Sequence, residues 1–286
     1  MDEGYIRLNN GMEMPLVGLG VFRMSGSECT KNVISAVENG YRLIDTAAVY
    51  NNERAVGDAM RWCGLPREQL FVTTKLWYTN CSYHNAKRAL EKSLKNLGLD
   101  YVDLYLIHEP YGWLKGTWRA LEECVREGKV RAIGLSNFGE RDIENITRGA
   151  EIMPAVDQIE LHPLYRREKL LAYLNERGIT PEAWAPFGAG KSGILDHPVI
   201  ARVAERRGCT VAQAVLAWLR AKGAVAIPKS SNPDRMAENL ASLSVELTDE
   251  DIRNIDCLDL GDSLFPWDKG IRRPLRKAIG FLHYII

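Results

Sequence analysis

The sequence has no excess of either charge, because its lysines plus arginines and its aspartates plus glutamates both number 37. A clustered basic excess is the usual electrostatic sign of a nucleic-acid partner, and the composition gives no reason to expect one. The six cysteines stand apart, with no Cys-x-x-Cys pair and no spacing typical of metal ligands. We therefore expect free thiols in a cytoplasmic protein, and no metal site.

The sequence also lacks an apolar run long enough to span a bilayer and the pattern of a secretory signal near Met1. One region leaves an alternative open. A basic cluster from Arg272 to Lys277 precedes the apolar stretch 278–286, and such a tail can lie on an anionic membrane surface. We favour a tail folded against its own domain, with no membrane partner.

Short apolar runs alternate with amphipathic segments along most of the chain. The segments between the runs have helical periodicity and several end at glycine, as at Gly40, Gly98 and Gly223. Eight strand-plus-helix units predict an α/β fold of the (β/α)8 TIM barrel type. The eight runs fall near residues 17–20, 43–45, 71–75, 104–108, 132–137, 155–160, 181–184 and 225–229.

Additions to the barrel are predicted at both ends of the chain. Residues 5–17 alternate around Asn9-Asn10-Gly11, which indicates an N-terminal β-hairpin that caps one end of the barrel. The segment between the seventh and eighth runs is predicted to hold two helices, 197–207 and 210–222, and a further helix is predicted at 248–258, with a Thr248–Asp251 capping box. Because no linker or repeat is evident, we expect a single domain over 1–286, with 261–286 as a tail near the barrel mouth.

Polar residues end three consecutive apolar runs, at the end of the barrel where active sites lie. Asp45, Lys75 and His108 close the second, third and fourth runs, and Tyr50 follows Asp45 in a strand-to-helix loop. Each residue alone has a structural explanation, such as a turn-capping carboxylate or a core histidine. Their common position favours a proton-transfer site instead.

The four side chains have complementary roles in carbonyl reduction. A free phenol, with a pKa of about 10, is a weak acid at neutral pH. A lysine ammonium at about 4 Å from Tyr50 would stabilise the phenolate by on the order of 4 kcal/mol at an effective dielectric constant near 20. Asp45 would hold Lys75 in place and charged, while a neutral His108 would orient the carbonyl oxygen or share the proton relay.

The local contexts Ile-Asp-Thr-Ala, Val-Tyr-Asn-Asn-Glu, Thr-Thr-Lys-Leu-Trp and Leu-Ile-His resemble the catalytic tetrad of the aldo-keto reductases. The resemblance extends from about Leu8 to Leu260. It implies a TIM barrel with two extra helices, and NADPH-dependent reduction of aldehydes and ketones to alcohols with Tyr50 as general acid. Nothing in the sequence marks an additional interface, so we expect a monomer.

The resemblance also implies an NADPH molecule that lies extended across the barrel mouth. Segment 133–138 resembles the family's carboxamide-binding segment, and Trp184 stands where the family stacks an aromatic ring on the nicotinamide. Segment 227–239 resembles the part that binds the 2′-phosphate and adenine, and its positive charge favours NADPH over NADH. The alternative is that Lys229 and Arg235 are ordinary charged surface residues. The implied cofactor-binding residues are Asp45, Ser136, Asn137, Gln158, Trp184, Gly188, Lys229, Ser230, Arg235, Glu238 and Asn239.

Residues 188–193 match the pattern G-x-G-x-x-G and end like a phosphate-binding P-loop. Neither motif has its required context, because no acidic residue follows on a second strand and Ala185 occupies the first glycine position of a P-loop. In the family this segment lies beside the cofactor pyrophosphate, so we expect Gly188 to act through close backbone approach.

The residues expected to wall the substrate pocket are Phe22, Trp77, His108, Glu109, Tyr111 and Trp113. Glu109 stands where many family members have tryptophan; it would disfavour anionic substrates if it points inward and would have no such effect if it faces solvent. The short loop 110–116 suggests an open site for small aldehydes, dicarbonyls or keto sugars. A cofactor-binding regulatory protein on the same fold is the alternative function.

Overall fold

The computed structural model describes residues 4–190 and 192–265. In this part of the chain, a two-stranded hairpin precedes eight parallel strands that follow one another in chain order. The hairpin strands are β1 (Tyr5–Arg7) and β2 (Glu13–Pro15), and the barrel strands are β3 (Gly18–Gly20), β4 (Leu43–Asp45), β5 (Phe71–Leu76), β6 (Val102–Ile107), β7 (Val130–Ser136), β8 (Val156–Glu160), β9 (Thr180–Trp184) and β10 (Val225–Ala226).

Helices surround the strands. They are α1 (Gly26–Glu38), α2 (Glu53–Trp62), α3 (Tyr83–Leu97), α4 (Leu114–Arg126), α5 (Glu140–Thr147), α6 (Glu168–Glu176), α7 (Pro198–Arg207), α8 (Val211–Ala221), α9 (Pro233–Leu240) and α10 (Asp249–Asp256). A parallel bridge between Val17 and Ala226 joins the first and last strands. The backbone N–H of Gly20 donates to the Pro228 carbonyl at 3.2 Å on the same seam. The predicted (β/α)8 TIM barrel is confirmed.

Strand pleating sorts side chains into two layers, because successive residues point to opposite faces. Leu43, Phe71 and Leu104 belong to the apolar cluster inside the barrel, whereas Ile44 and Val72 belong to the larger cluster between barrel and helices. Residues two or four positions beyond an inward residue therefore also face inward. This periodicity aims Asp45 and Lys75, which lie two and four positions beyond Leu43 and Phe71, at the barrel axis.

The hairpin is present as predicted, with Ile6 opposite Met14. It covers the N-terminal end of the barrel, where Met14 joins the interior apolar cluster. The side-chain amides of Asn9 and Asn10 donate to the carbonyls of Pro154 and Arg131 at 2.8 and 3.1 Å. One end of the barrel is thus closed, and the opposite end carries the polar strand ends.

Several element bounds differ from the predicted ones for identifiable reasons. Strand β6 begins at Val102 rather than 104, because Asp103 is accommodated inside the sheet by ion pairs with Arg67 and Arg131 at 2.6 and 3.0 Å. Strand β10 ends at Ala226 rather than 229, close to Pro228, which has no N–H to donate to a neighbouring strand.

Helices α7, α8 and α10 lie where the sequence predicts them, and the Thr248–Asp251 capping box is formed. Among the described residues, none of the helices combines the length and the apolar character needed to traverse a bilayer. The C-terminal cluster from Arg272 to Lys277 and the stretch 278–286 lie outside the described residues, so the membrane-surface alternative for this tail stays open.

Candidate active site

The structure brings the four predicted catalytic residues together at the open end of the barrel. Asp45 is the last residue of β4, Lys75 lies near the end of β5, and His108 directly follows β6. By the pleat, Asp45 shares the inward face with Leu43, and Lys75 shares it with Phe71. Tyr50 ends a short 3-10 turn, Ala48–Tyr50, in the loop after β4.

Lys75 is the centre of this cluster. Its ammonium donates to Asp45 Oδ1 at 2.5 Å, to the Thr46 carbonyl at 3.0 Å and to the Tyr50 hydroxyl at 3.5 Å. The side chain is completely buried. A buried ammonium is tolerated only when it is paired and hydrogen-bonded, and these oxygens meet that requirement. The arrangement places a positive charge next to the phenol oxygen.

The protonation states suit a proton donor at Tyr50. Burial works against the charge of Lys75, but the Asp45 carboxylate raises the pKa of the ammonium, so that Lys75 stays charged at neutral pH. Burial raises the pKa of Tyr50, and Lys75 opposes that rise, so the phenol keeps its proton. Burial and the Lys75 charge lower the pKa of His108 well below its usual range, which makes the imidazole neutral.

Buried hydrogen bonds fix the loop that carries Tyr50. The Asn52 side-chain amide donates to the carbonyls of Val21 and Met24, both at 2.9 Å. The Thr46 hydroxyl donates to Asn52 Oδ1 at 2.6 Å. Asn52 therefore ties the loop after β4 to the loop after β3. Asn52 is a site residue that sequence reasoning missed; its position directly before α2 is typical of an ordinary helix cap.

A second carboxyl group lies beside the cluster. Gln158 Nε2 donates to Asp45 Oδ2 at 2.8 Å and to Glu182 Oε2 at 2.7 Å. Glu182 is fully buried in β9, and burial together with the neighbouring Asp45 charge raises its pKa to about 8. Sequence reasoning missed Glu182. The available signal was a carboxylate two residues before Trp184 on the same strand face.

The predicted nicotinamide-side residues are contiguous in the structure. Trp184 Nε1 donates to Asn137 Oδ1 at 2.9 Å, and Asn137 Nδ2 donates to the His108 carbonyl and to Ser136 Oγ, both at 3.2 Å. Asn137 has a left-handed backbone, with φ of 64°, which asparagine tolerates better than most residues. It therefore fixes the edge of the Trp184 indole relative to the His108 backbone.

The predicted adenosine-side residues lie after β10, around the start of α9. Asn232 caps this helix by accepting from the Arg235 N–H at 3.1 Å, and Lys229 and Arg235 are exposed. Glu238 is half-buried. Asn239, by contrast, is buried, so it has little side-chain surface to offer a ligand. Exposed cations at a helix N-terminus suit an anionic group.

The glycine-containing segment after β9 makes a tight approach at one point. Gly188 has φ of 61°, and a Cβ there would lie 2.2 Å from Ser192 Oγ. Glycine adopts this left-handed backbone without strain, and a Cβ at this position would require the Ser192 side chain to move. Lys191, within the G-x-G-x-x-G pattern, lies outside the described residues.

The predicted pocket wall is aromatic and open. Phe22 and Trp113 are 47% and 44% exposed, and the Phe22 ring lies 5.0 Å from that of Tyr50. The Trp77 ring contacts the His108 ring edge-on at 5.1 Å. Tyr111 is buried and packs edge-on against Tyr78. It thus supports the wall from behind instead of lining it.

Glu109 is half-buried next to this wall. The main cause of the raised pKa of Tyr50 is burial, and the Glu109 carboxylate adds to it. Its charge therefore opposes ionisation of the Tyr50 phenol, and the inward and solvent-facing alternatives both stay open. Within residues 4–190 and 192–265, His, Cys, Asp and Glu side chains form no group of three placed to hold a metal ion.

Comparison with known proteins agrees with this geometry. The sequence profile described as the Aldo/keto reductase family matches residues 17–259. The chain therefore belongs to the aldo/keto reductase family, which is a family of oxidoreductases.

Two characterised relatives and two solved structures illustrate the match. The chain is 44% identical to a glyoxal reductase of Bacillus subtilis over 91% of this chain and 95% of the relative. It is 43% identical to a morphine 6-dehydrogenase of Pseudomonas putida over 91% and 93%. An aldo-keto reductase from a Medee basin deep-sea metagenome library superposes with a TM-score of 0.89 at 40% identity, over 91% of this chain and 97% of the other. A Bombyx mori aldo-keto reductase in complex with NADP gives 0.88 at 33% identity, over 96% and 99%.

Proposed function

We propose that this protein reduces aldehydes and ketones to alcohols with NADPH, using Tyr50 as the general acid. The observation that carries the proposal is the position of Lys75. Its buried ammonium lies 2.5 Å from Asp45 and 3.5 Å from the Tyr50 hydroxyl. An ammonium at that position stabilises the phenolate that proton transfer leaves behind.

The residues present fit a nicotinamide dinucleotide. Ser136, Asn137 and Gln158 offer polar groups beside the indole of Trp184, and the exposed cations Lys229 and Arg235 suit the anionic end of such a cofactor. Bound NADPH supplies the hydride that the carbonyl carbon accepts. The Bombyx mori structure in complex with NADP supports this assignment.

The protein's own residues would handle the proton. His108, neutral and with its ring 5.7 Å from that of Tyr50, orients the carbonyl oxygen towards the phenol. Tyr50 then donates its proton to that oxygen as negative charge develops there. The charge passes to the phenolate beside Lys75, while Asp45 keeps the ammonium in place. Solvent reprotonates Tyr50 after the product leaves.

We propose small dicarbonyl compounds and aromatic aldehydes as substrates. The aromatic rings of Phe22, Trp77 and Trp113 provide apolar contact, and the exposure of Phe22 and Trp113 leaves the site open. The Glu109 carboxylate disfavours anionic substrates by repulsion. Similarity to the Bacillus subtilis glyoxal reductase supports the dicarbonyl class.

NADPH is the proposed coenzyme because Lys229 and Arg235 are exposed cations next to the N-terminus of α9. Such groups bind a 2′-phosphate through charge-assisted hydrogen bonds, which NADH cannot form. The regulatory alternative would be favoured by loss of a catalytic residue, and all four are present with the contacts described above.

The test is the rate of NADPH oxidation by the purified protein with methylglyoxal and with an aromatic aldehyde. The reaction is followed by the loss of absorbance of the reduced nicotinamide. We expect turnover with both carbonyl compounds and a higher kcat/KM with NADPH than with NADH. Protein that binds NADPH but reduces neither compound would refute the proposed reaction and favour the regulatory alternative.

A further inference from the structure

Glu160 is a buried carboxylate that the proposed chemistry does not use. It is the last residue of β8, faces the barrel mouth and is 4% exposed. The Leu264 backbone N–H donates to Oε1 at 2.9 Å, and the Ser263 hydroxyl donates to Oε2 at 2.5 Å. His162 Nε2 lies 3.1 Å from Oε1. A carboxylate that receives bonds from a distant part of the chain acts as an anchor for that part.

The anchored part is residues 259–265, here called the strap. Its first half is also held to the loop that follows β8. The Arg166 N–H donates to Asp259 Oδ1 at 3.1 Å, and the Leu260 N–H donates to the Leu164 carbonyl at 3.0 Å. Glu160 holds the second half. The strap is therefore attached at two points, and its far end depends on Glu160.

The far end of the strap contacts two residues proposed to bind the cofactor. The Phe265 ring lies 5.0 Å from the Trp184 ring at an interplanar angle of 60°. Leu264 Cδ1 lies 3.1 Å from the place where a Cβ on Gly188 would stand. The bonds to Glu160 thus fix side chains that pack against both Trp184 and the Gly188 backbone.

We propose that Glu160 is a positioning residue for cofactor retention: by holding the strap, it keeps Trp184 and Gly188 in the arrangement that binds the nicotinamide end of NADP(H). The inference rests on the proposed function. Its basis is preorganisation, since residues already fixed before binding lose less conformational entropy when the ligand arrives. Glu160 is also the residue opposite Trp184 in the pairing of β8 with β9, so it borders this cofactor residue in the sheet as well as through the strap.

Glu160→Gln keeps the shape of the side chain and removes its charge. Only one of its two terminal atoms can then accept, so the bonds from Ser263 and Leu264 lose their charge-assisted character. We expect NADP+ to dissociate about tenfold faster from this variant, since one charge-assisted hydrogen bond corresponds to about that factor. Ser263→Ala removes one bond from the strap side and should give a smaller increase of the same sign.

Glu122→Gln is the matched control. Glu122 is also 4% exposed, and its Oε1 accepts the backbone N–H groups of Glu151 and Ile152 at 2.7 and 3.0 Å. It lies on α4, in the outer helix layer. The control loses a buried carboxylate that caps backbone amides but leaves the strap intact, so it separates cofactor retention from general destabilisation.

The experiment measures NADP+ dissociation by stopped-flow displacement with indole fluorescence, and unfolding by urea for each variant. Faster release from Glu160→Gln and Ser263→Ala, with Glu122→Gln at the wild-type rate, supports the inference. Equal rates in Glu160→Gln and Glu122→Gln, or slower release from Glu160→Gln, overturn it. A wild-type protein that binds no NADP+ or NADPH would instead overturn the proposed function, and this inference with it.

Discussion

Replacing Lys75 with methionine should abolish most of the activity, and replacing Asp45 at the same time should restore stability without restoring turnover. Lys75 Nζ lies 3.5 Å from the Tyr50 oxygen. At that distance and an effective dielectric constant of about 20, a full phenolate charge is stabilised by about 5 kcal/mol. If half of the charge has developed in the transition state, kcat should fall by roughly 50- to 100-fold.

Lys75→Met and the double variant should both be inactive, but they should differ in stability. Lys75→Met leaves Asp45 buried without its cation, and breaking a buried pair in this way costs about 3–5 kcal/mol. The double variant Asp45→Asn/Lys75→Met removes both charges, so its free energy of unfolding should return close to that of the wild type. Asp45→Asn alone isolates the loss of the carboxylate.

Two measurements are made at about pH 7, where Lys75 is charged. Turnover is measured as steady-state NADPH oxidation in the presence of methylglyoxal, and stability is measured by urea unfolding. The reasoning predicts that the double variant is as stable as the wild type and as inactive as Lys75→Met. If the double variant regains activity along with stability, Lys75 serves only to satisfy Asp45, and its electrostatic role in proton donation is refuted.

Three further predictions concern titration and coenzyme choice. The pKa of Glu182 is raised by burial to about 8, so its contribution to stability is complete below its ordinary pKa of 4.5 and is lost as the pH rises to about 8. Glu182→Gln should therefore gain stability over the wild type between those pH values in urea unfolding; a pH-independent difference would contradict this. Burial also raises the pKa of Asp157, to about 7 from an ordinary 3.8. The stability gain of Asp157→Asn over the wild type should therefore also grow with pH, but should stop growing about one pH unit lower than that of Glu182→Gln. If the two gains stop growing at the same pH, the difference between the two pKa values is contradicted. Arg235→Gln should raise the KM for NADPH about tenfold and leave that for NADH unchanged, whereas Arg253→Gln on α10 should change neither; an equal effect of Arg235→Gln on both coenzymes would exclude a phosphate contact.

The barrel was predictable from the sequence because its signals are local and repeated. Apolar runs, amphipathic segments and terminal glycines recur along the chain, and Gly98, for example, ends α3 with a φ of 65°. The convergence of Asp45, Lys75 and His108 followed from the same regularity, since equivalent positions on parallel strands meet at one end of a barrel.

Long-range pairing was beyond sequence reasoning. The buried position of Glu182 depends on Gln158, from another strand, which donates to it at 2.7 Å. Glu160 likewise has two of its partners, Ser263 and Leu264, about a hundred residues away in the chain. A carboxylate inside an apolar strand signals an unusual environment, but the partner that satisfies it becomes known only from the fold.

The most direct test of proton donation by Tyr50 is the single-turnover rate of methylglyoxal reduction by Tyr50→Phe with saturating NADPH. The variant removes one oxygen from a side chain whose ring contacts, to Phe22 and His108, remain possible. Our account predicts unchanged NADPH binding and a rate at least about 100-fold below that of the wild type, the contribution of a well-placed general acid. A rate equal to that of the wild type would contradict it.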